Sequence, residues 1–169
     1  MAVQAEVEDD IEAEVRARGE LYRYELMSRS AYAAFRVDEI ALAGKGGRVL
    51  YLSGVHFASE KPLAVEQRLI NLTLLPDAET ADFSRTSPGH WLAQTVRATH
   101  AEMHISADLA DPETLRLLKA EGPLACLMVR RRVRKDGHGI TSGVQALIGD
   151  SYKLTLRSYS ASNPPPAEA

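Results

Sequence analysis

The sequence predicts an α+β domain built on a mostly antiparallel sheet of about six strands, with helices inserted between them. Three observations lead there. Segments rich in β-branched and aromatic residues are joined by short turns such as Ser59–Pro62 and Asp136-Gly137. Helix-start signals stand between them at Ser87-Pro88 and Asp111-Pro112. The 169 residues, 45% hydrophobic and 25% charged, have the size and composition of one ordinary globular domain with a proper core.

Each element has a local reason. In residues 5–18, Val7, Ile11 and Val15 recur every fourth position. Acids come early, arginines late, and Gly19 stands just beyond, which is the dipole and C-cap pattern of a helix. Residues 21–29 (LYRYELMSR) read as a strand, and the Ala-rich, Ser-initiated stretch 30–39 predicts a short helix before the flexible turn at 44–47 (GKGG). A hairpin follows, with strands at 48–57 and 63–72; the second puts Ala64, Glu66 and Arg68 on one face and Leu63, Val65 and Gln67 on the other. A polar link leads to the Ser87-Pro88 helix start and GHWLAQT. Residues 98–110 form a strand, 112–120 a helix ended by Gly122-Pro123, and 124–135, 140–149 and 152–159 a meander. The Pro-rich tail cannot extend a sheet and is expected to be disordered.

Composition excludes several classes. With 20 basic and 23 acidic residues the net charge is −3, so no general attraction for nucleic acid is expected. Cys126 is the lone cysteine, which permits neither an intrachain disulfide nor a cysteine-based zinc site and fits a reducing compartment. No apolar run reaches the roughly 20 residues of a membrane span, and a soluble, cytoplasmic protein is expected. His100 and His104 lie four apart, but HAEMH is not the HExxH order of a zinc protease, and solvated strand histidines are the better reading. No GxSxG, glycine-rich phosphate loop or Cys–His pairing points to catalysis.

Two features suggest an anion site. The start of a helix at Thr86 and Ser87 offers unsatisfied N–H groups, and polar residues on neighbouring strands, His56, Glu66, Arg68 and Thr141, could complete a pocket. Glu66 and Arg68 share a face, either to orient a ligand or to pair with each other. In the run 130–135, alternation sends Arg130, Arg132 and Arg134 to the face of Cys126 and Met128, and Arg131 and Lys135 to the other. A buried arginine beside Cys126 would need an anion, from the protein or from a ligand.

Taken in order, VHFASEKPLAVEQRLIN, DFSRTSPGHWL, EMHISADLADPETLRLLKAEGPLACLMVRRRV and GITSGVQALIGDSYKL resemble the UTRA domain, the effector-sensing half of HutC-type GntR-family regulators, particularly histidine-utilisation repressors. The resemblance implies a chorismate-lyase-like fold at 20–160, a connecting helix at 1–19 and a tail at 161–169. It also implies a ligand site at His56, Glu66, Arg68, Thr86, Ser87, Arg132, Thr141 and Tyr152. The effector would be a small anionic metabolite such as urocanate, with no cofactor; the partners would be a second copy of the chain and DNA, the latter through a winged helix-turn-helix that this chain lacks. Trp91, where a Tyr is usual, and the segment before Tyr152 depart from the family pattern. A stand-alone enzyme related to chorismate lyase, releasing pyruvate from chorismate, is the alternative.

Overall fold

A computed structural model of the protein describes residues 10–149. Six antiparallel strands form one sheet: β1 (Tyr22–Ala33), β2 (Arg48–Ala58), β3 (Lys61–Asn71), β4 (His100–Leu109), β5 (Ala125–Lys135) and β6 (His138–Ile148). Their order is β1-β2-β3-β6-β5-β4, so the final hairpin slots its β6 against β3 in the centre. Four helices, α1 (Ile11–Ala17), α2 (Val37–Ala43), α3 (Pro88–Thr95) and α4 (Pro112–Leu117), connect or flank the strands. The α+β class and the mostly hairpin-connected sheet are as the sequence predicts; the strand expected at 152–159, the tail and Val7 lie outside the described residues.

Register lays four successive rows of side chains across one face, written here from β1 through β2, β3, β6 and β5 to β4. They are Tyr24-His56-Ala64-Leu147-Leu127-Ala107, Leu26-Gly54-Glu66-Gln145-Val129-Ile105, Arg29-Leu52-Arg68-Gly143-Arg131-Met103 and Ala31-Leu50-Ile70-Thr141-Val133-Ala101. The first and last rows are largely apolar and the middle rows carry the polar groups. Over this face lie α1, whose Ile11 and Val15 pack on Ala64, Val129 and Leu147, and α3, whose Leu92 joins Phe83 against Leu50, Leu52 and Ile70. The opposite face buries Val55, Phe57, Val65, Cys126 and Ala146 under Leu118 at the end of α4.

One element is displaced from expectation. Residues 30–33 continue β1, and the helix starts only at Val37. Pairing with β2 along Ser30–Ala33 outweighs the helix propensity of the alanines. The start is fixed by buried Glu39, whose carboxylate accepts N–H bonds from Phe35 (3.1 Å) and Arg36 (3.0 Å) and the Tyr32 hydroxyl hydrogen (2.8 Å). The hairpin turn is also tighter than SEKP suggests. Ser59 and Glu60 alone make it, both at positive φ, and Lys61-Pro62 already belong to β3.

Two further residues hold the frame. Asn71 at the end of β3 donates to the carbonyls of Leu42 (3.2 Å) and Gly139 (2.8 Å), tying α2 to β6. Gly54 leaves space for Tyr24: a Cβ there would stand 2.2 Å from the phenolic oxygen. Gly54→Ala therefore forces the Tyr24 ring off His56, and the expected cost is about 1–3 kcal/mol in urea denaturation. An unchanged unfolding midpoint would contradict this packing.

Candidate functional site

The centre of the site is a carboxylate with little access to water. Glu66, 1% exposed, accepts from Arg68 Nε at 2.5 Å, His56 Nε2 at 3.0 Å and Gln145 Nε2 at 2.9 Å. An ionised carboxylate only accepts, so His56 carries its proton on Nε2 and its Nδ1 accepts from the Tyr22 hydroxyl at 2.8 Å. Burial alone would raise the pKa of Glu66, but the Arg68 charge and the His56 hydrogen bond outweigh it and hold the carboxyl well below its usual range. Burial pushes the Tyr22 and Tyr24 hydroxyls well above theirs, with the Glu66 charge adding to it. Both phenols therefore stay neutral.

Local structure places each member. Glu66 and Arg68 alternate onto the same face of β3, and Gln145 lies directly across from Glu66 on β6. Gly143 stands between Arg68 and Arg131 in register, and its missing side chain leaves room for the Arg68 guanidinium, whose Cζ would be 3.3 Å from a Cβ there. Thr141, on the next row, donates to the Leu69 carbonyl at 2.7 Å.

Above the sheet, Ser87 caps α3, its Oγ accepting from His90 N at 3.2 Å, with Pro88 in the first turn. Two acids of α1 meet this helix. Asp10 Oδ2 lies 2.6 Å from His90 Nδ1, and buried Glu12 accepts the Ser87 N–H at 3.5 Å while its other oxygen binds Arg16 at 3.0 and 3.1 Å. Between α1, α3 and the sheet is a cavity of about 260 Å³. Its walls are mainly apolar, from Ala13, Leu92, Val96, Val133 and Ile140, with Arg131, Thr141 and Asp10 as polar groups.

The eight residues expected to hold a ligand separate into different roles. His56, Glu66, Arg68 and Thr141 are brought together on one face, but the first three are buried and bonded to one another beneath the site. Ser87 is buried at the start of α3, Thr86 is half-buried beside it, and Tyr152 lies outside the described residues. Arg132 points to the opposite face, exposed and across from Glu102, because strand alternation gives this face to Arg131. The residue on the cavity wall is thus one position earlier than expected. Arg131 is legible only once β5 is registered on Gly143.

On the other face, Arg130, Arg132 and Arg134 are exposed, so the sequence argument for a buried arginine beside Cys126 does not arise. With α2 they border an open depression of about 600 Å³. His100 and His104 on β4 are exposed beside this row, opposite Arg134 and Arg130. Among the described residues no group of three metal-ligating side chains forms, and no helix is long and apolar enough to cross a membrane.

A helix-covered antiparallel sheet with an apolar cavity between an N-terminal helix and the face, and polar groups at its edge, has the form of a small-ligand-binding domain. Residues 17–153 match the UTRA domain family, and the chain belongs to it. It is 31% identical over 150 residues to the histidine utilization repressor of Pseudomonas putida and 28% over 148 residues to that of Klebsiella aerogenes. These alignments cover 88% and 87% of this chain and 60% and 61% of the relatives, so the chain spans about three-fifths of their length. Among solved structures, the C-terminal domain of the histidine utilization repressor from Pseudomonas syringae superposes with a TM-score of 0.74 at 27% identity, covering 83% of this chain and all (100%) of that one. The effector domain of PhnF from Mycobacterium smegmatis gives 0.76 at 19% identity, covering 88% and 93%, and shares the fold.

Removing Glu66 takes away the carboxylate that meets the buried Arg68 guanidinium and the His56 and Gln145 donors, so Glu66→Ala is expected to cost about 3–5 kcal/mol in denaturant unfolding. The native carboxyl is more acidic than the unfolded one. Its stabilisation is therefore complete above the ordinary glutamate value of about 4.3 and declines as pH falls below that toward the native value. Thermal midpoints measured from pH 7 to pH 3 should fall more steeply for the wild type than for Glu66→Gln; parallel curves would contradict the assignment.

Proposed function

We propose that this chain is the effector-binding domain of a HutC/GntR-type transcriptional regulator, and that it takes a small anionic metabolite in the cavity between α1, α3 and the sheet. The observation that carries this reading is the cavity itself. Its apolar walls suit a flat, short ligand, while the Arg131 guanidinium at one side suits a carboxylate. Asp10 at the α1 side offers an acceptor for a ligand N–H. An imidazole acid fits that combination, and urocanate is the first ligand to test, in keeping with the histidine-utilisation relatives.

The buried Glu66 network supports the floor rather than touching the ligand. Each Glu66 oxygen is already engaged by neighbouring donors. The same closure argues against chorismate lyase chemistry through Glu66 and Arg68, since both would have to face the substrate. The regulator works, in this reading, in the cytoplasm as a homodimer. It acts on DNA through a winged helix-turn-helix that lies outside this chain, with α1 as the connecting helix. Ligand binding shifts the population of dimer geometries that suit an operator.

Urocanate is expected to raise the thermal midpoint in a saturable way, as any ligand binding only the folded state does. Arg131→Ala should weaken it by more than tenfold, about 1.4 kcal/mol or more, and Arg132→Ala should leave it unchanged. Equal effects of the two arginine variants would sink the site assignment. Conversion of chorismate to 4-hydroxybenzoate at a catalytic rate would sink the regulator-only reading.

A further inference from the structure

We infer that the Tyr24 hydroxyl is a reserve donor for Glu66, idle in the arrangement seen here and engaged when an anion in the cavity draws Arg68 aside. The inference rests on the effector-binding reading above and adds a step by which the buried row registers the ligand without touching it. Tyr24 is 7% exposed, and its Oη has no hydrogen-bond partner among the described residues. A buried phenol that bonds to nothing destabilises the fold around it, and a Phe ring would cover Gly54 as well. The hydroxyl nevertheless has a defined place. The ring leans across from β1, its centroid 5.0 Å from that of His56, and sets Oη over Gly54, 2.2 Å from where a Cβ would stand. Gly54 is the register partner of Glu66, so the idle donor stands beside the carboxylate. Burial and the nearby Glu66 charge keep the phenol protonated.

The route from the cavity to this pair runs through Arg68. Its Nε donates to Glu66 Oε1 at 2.5 Å, and its Nη1 reaches Thr141 Oγ1 at 3.5 Å, a bond with room to shorten. Thr141 donates its own hydroxyl hydrogen to the Leu69 carbonyl at 2.7 Å, so toward Arg68 it can only accept. It also lines the cavity, as Arg131 does. Gly143, between Arg68 and Arg131 in register, places no side chain in the way. A carboxylate held at Arg131 attracts the Arg68 guanidinium across a poorly hydrated interior, where such attraction is strong. As Nη1 closes on Thr141, Nε leaves Glu66 Oε1. His56 and Gln145 both bond the other oxygen, Oε2, so it is Oε1 that then needs a donor. A hydroxyl bond to a carboxylate is short and strong, and Tyr24 Oη is the donor at hand. Exchange of one donor for the other keeps Glu66 ionised and satisfied in both arrangements.

The test compares the full chain with its Tyr24→Phe variant, using urocanate as the probe. Urea unfolding is followed without urocanate, and binding is measured by calorimetric titration. Tyr24→Phe removes a hydroxyl that bonds to nothing, so it should unfold at the wild-type urea midpoint or above it, yet bind urocanate about tenfold more weakly. A purely structural tyrosine would lower both quantities, and a bystander would lower neither. A second readout is the carbon-13 resonance of the tyrosine Cζ. The Tyr24 signal, identified by its loss in Tyr24→Phe, should move on saturation with urocanate. Equal affinity of the two proteins, an unmoved Tyr24 signal or a lower urea midpoint for the variant each overturns the reserve-donor inference and leaves the effector reading standing. A wild type that takes up no urocanate overturns both.

Discussion

The Glu66 carboxylate is the constraint on which the face of the sheet depends. It draws His56 from β2, Arg68 from its own strand and Gln145 from β6 onto one pair of oxygens. Through His56 it also reaches Tyr22 on the edge strand β1. An acid in this position is tolerable only because the guanidinium and two further directional donors, His56 and Gln145, replace the water it has lost. The three central strands are thereby fixed in register at the row where a slip would leave a charge unpaired. The consequence is geometric: this row closes on itself, and the cavity is lined instead by residues of the two helices and of β5 and β6.

What lies above is α1 and α3, and their attachment differs in kind from the floor. Apolar contact of Ile11 and Val15 with Ala64 and Leu147 supplies a modest burial, and the remaining hold on α3 is two carboxylate contacts, Asp10 to His90 and Glu12 to Ser87. Such contacts respond to a ligand's charge in a way that a packed core does not. The cavity lies between these two helices and the sheet, beside those contacts. Family membership gives that arrangement its context, since the relatives are named as repressors of histidine utilization.

The other face has a different physical character. Its arginine row and the exposed apolar residues Phe35, Val37 and Ile40 of the α2 region leave it partly uncovered, whereas α4 closes only the end around Val55 and Cys126. The same strand, β5, thus serves two surfaces: Arg131 lines the cavity as well as the open depression, whereas Arg130 and Arg132 line the open depression and not the cavity. A single-residue difference in assignment changes the side of the protein on which a charge acts.

The sequence by itself determined the fold class, the strands carrying β-branched residues, the Ser87-Pro88 and Asp111-Pro112 helix starts, and the family. These rest on periodicity, caps and motifs that are local or ordered along the chain. It also placed Glu66 and Arg68 on one face, because alternation within one strand is local. It misjudged residues 30–33, where pairing with β2 overrides alanine's helix preference, and it could not choose between Glu66–Arg68 as ligand contacts or as a pair. Only the tertiary structure decided that they close on each other with His56 and Gln145, that Arg131 and not Arg132 reaches the cavity, and that Glu12 approaches Ser87 from 75 residues away. The reason is that burial, cross-strand register and contact between distant helices are properties of pairs, and one sequence read without its fold specifies only their members.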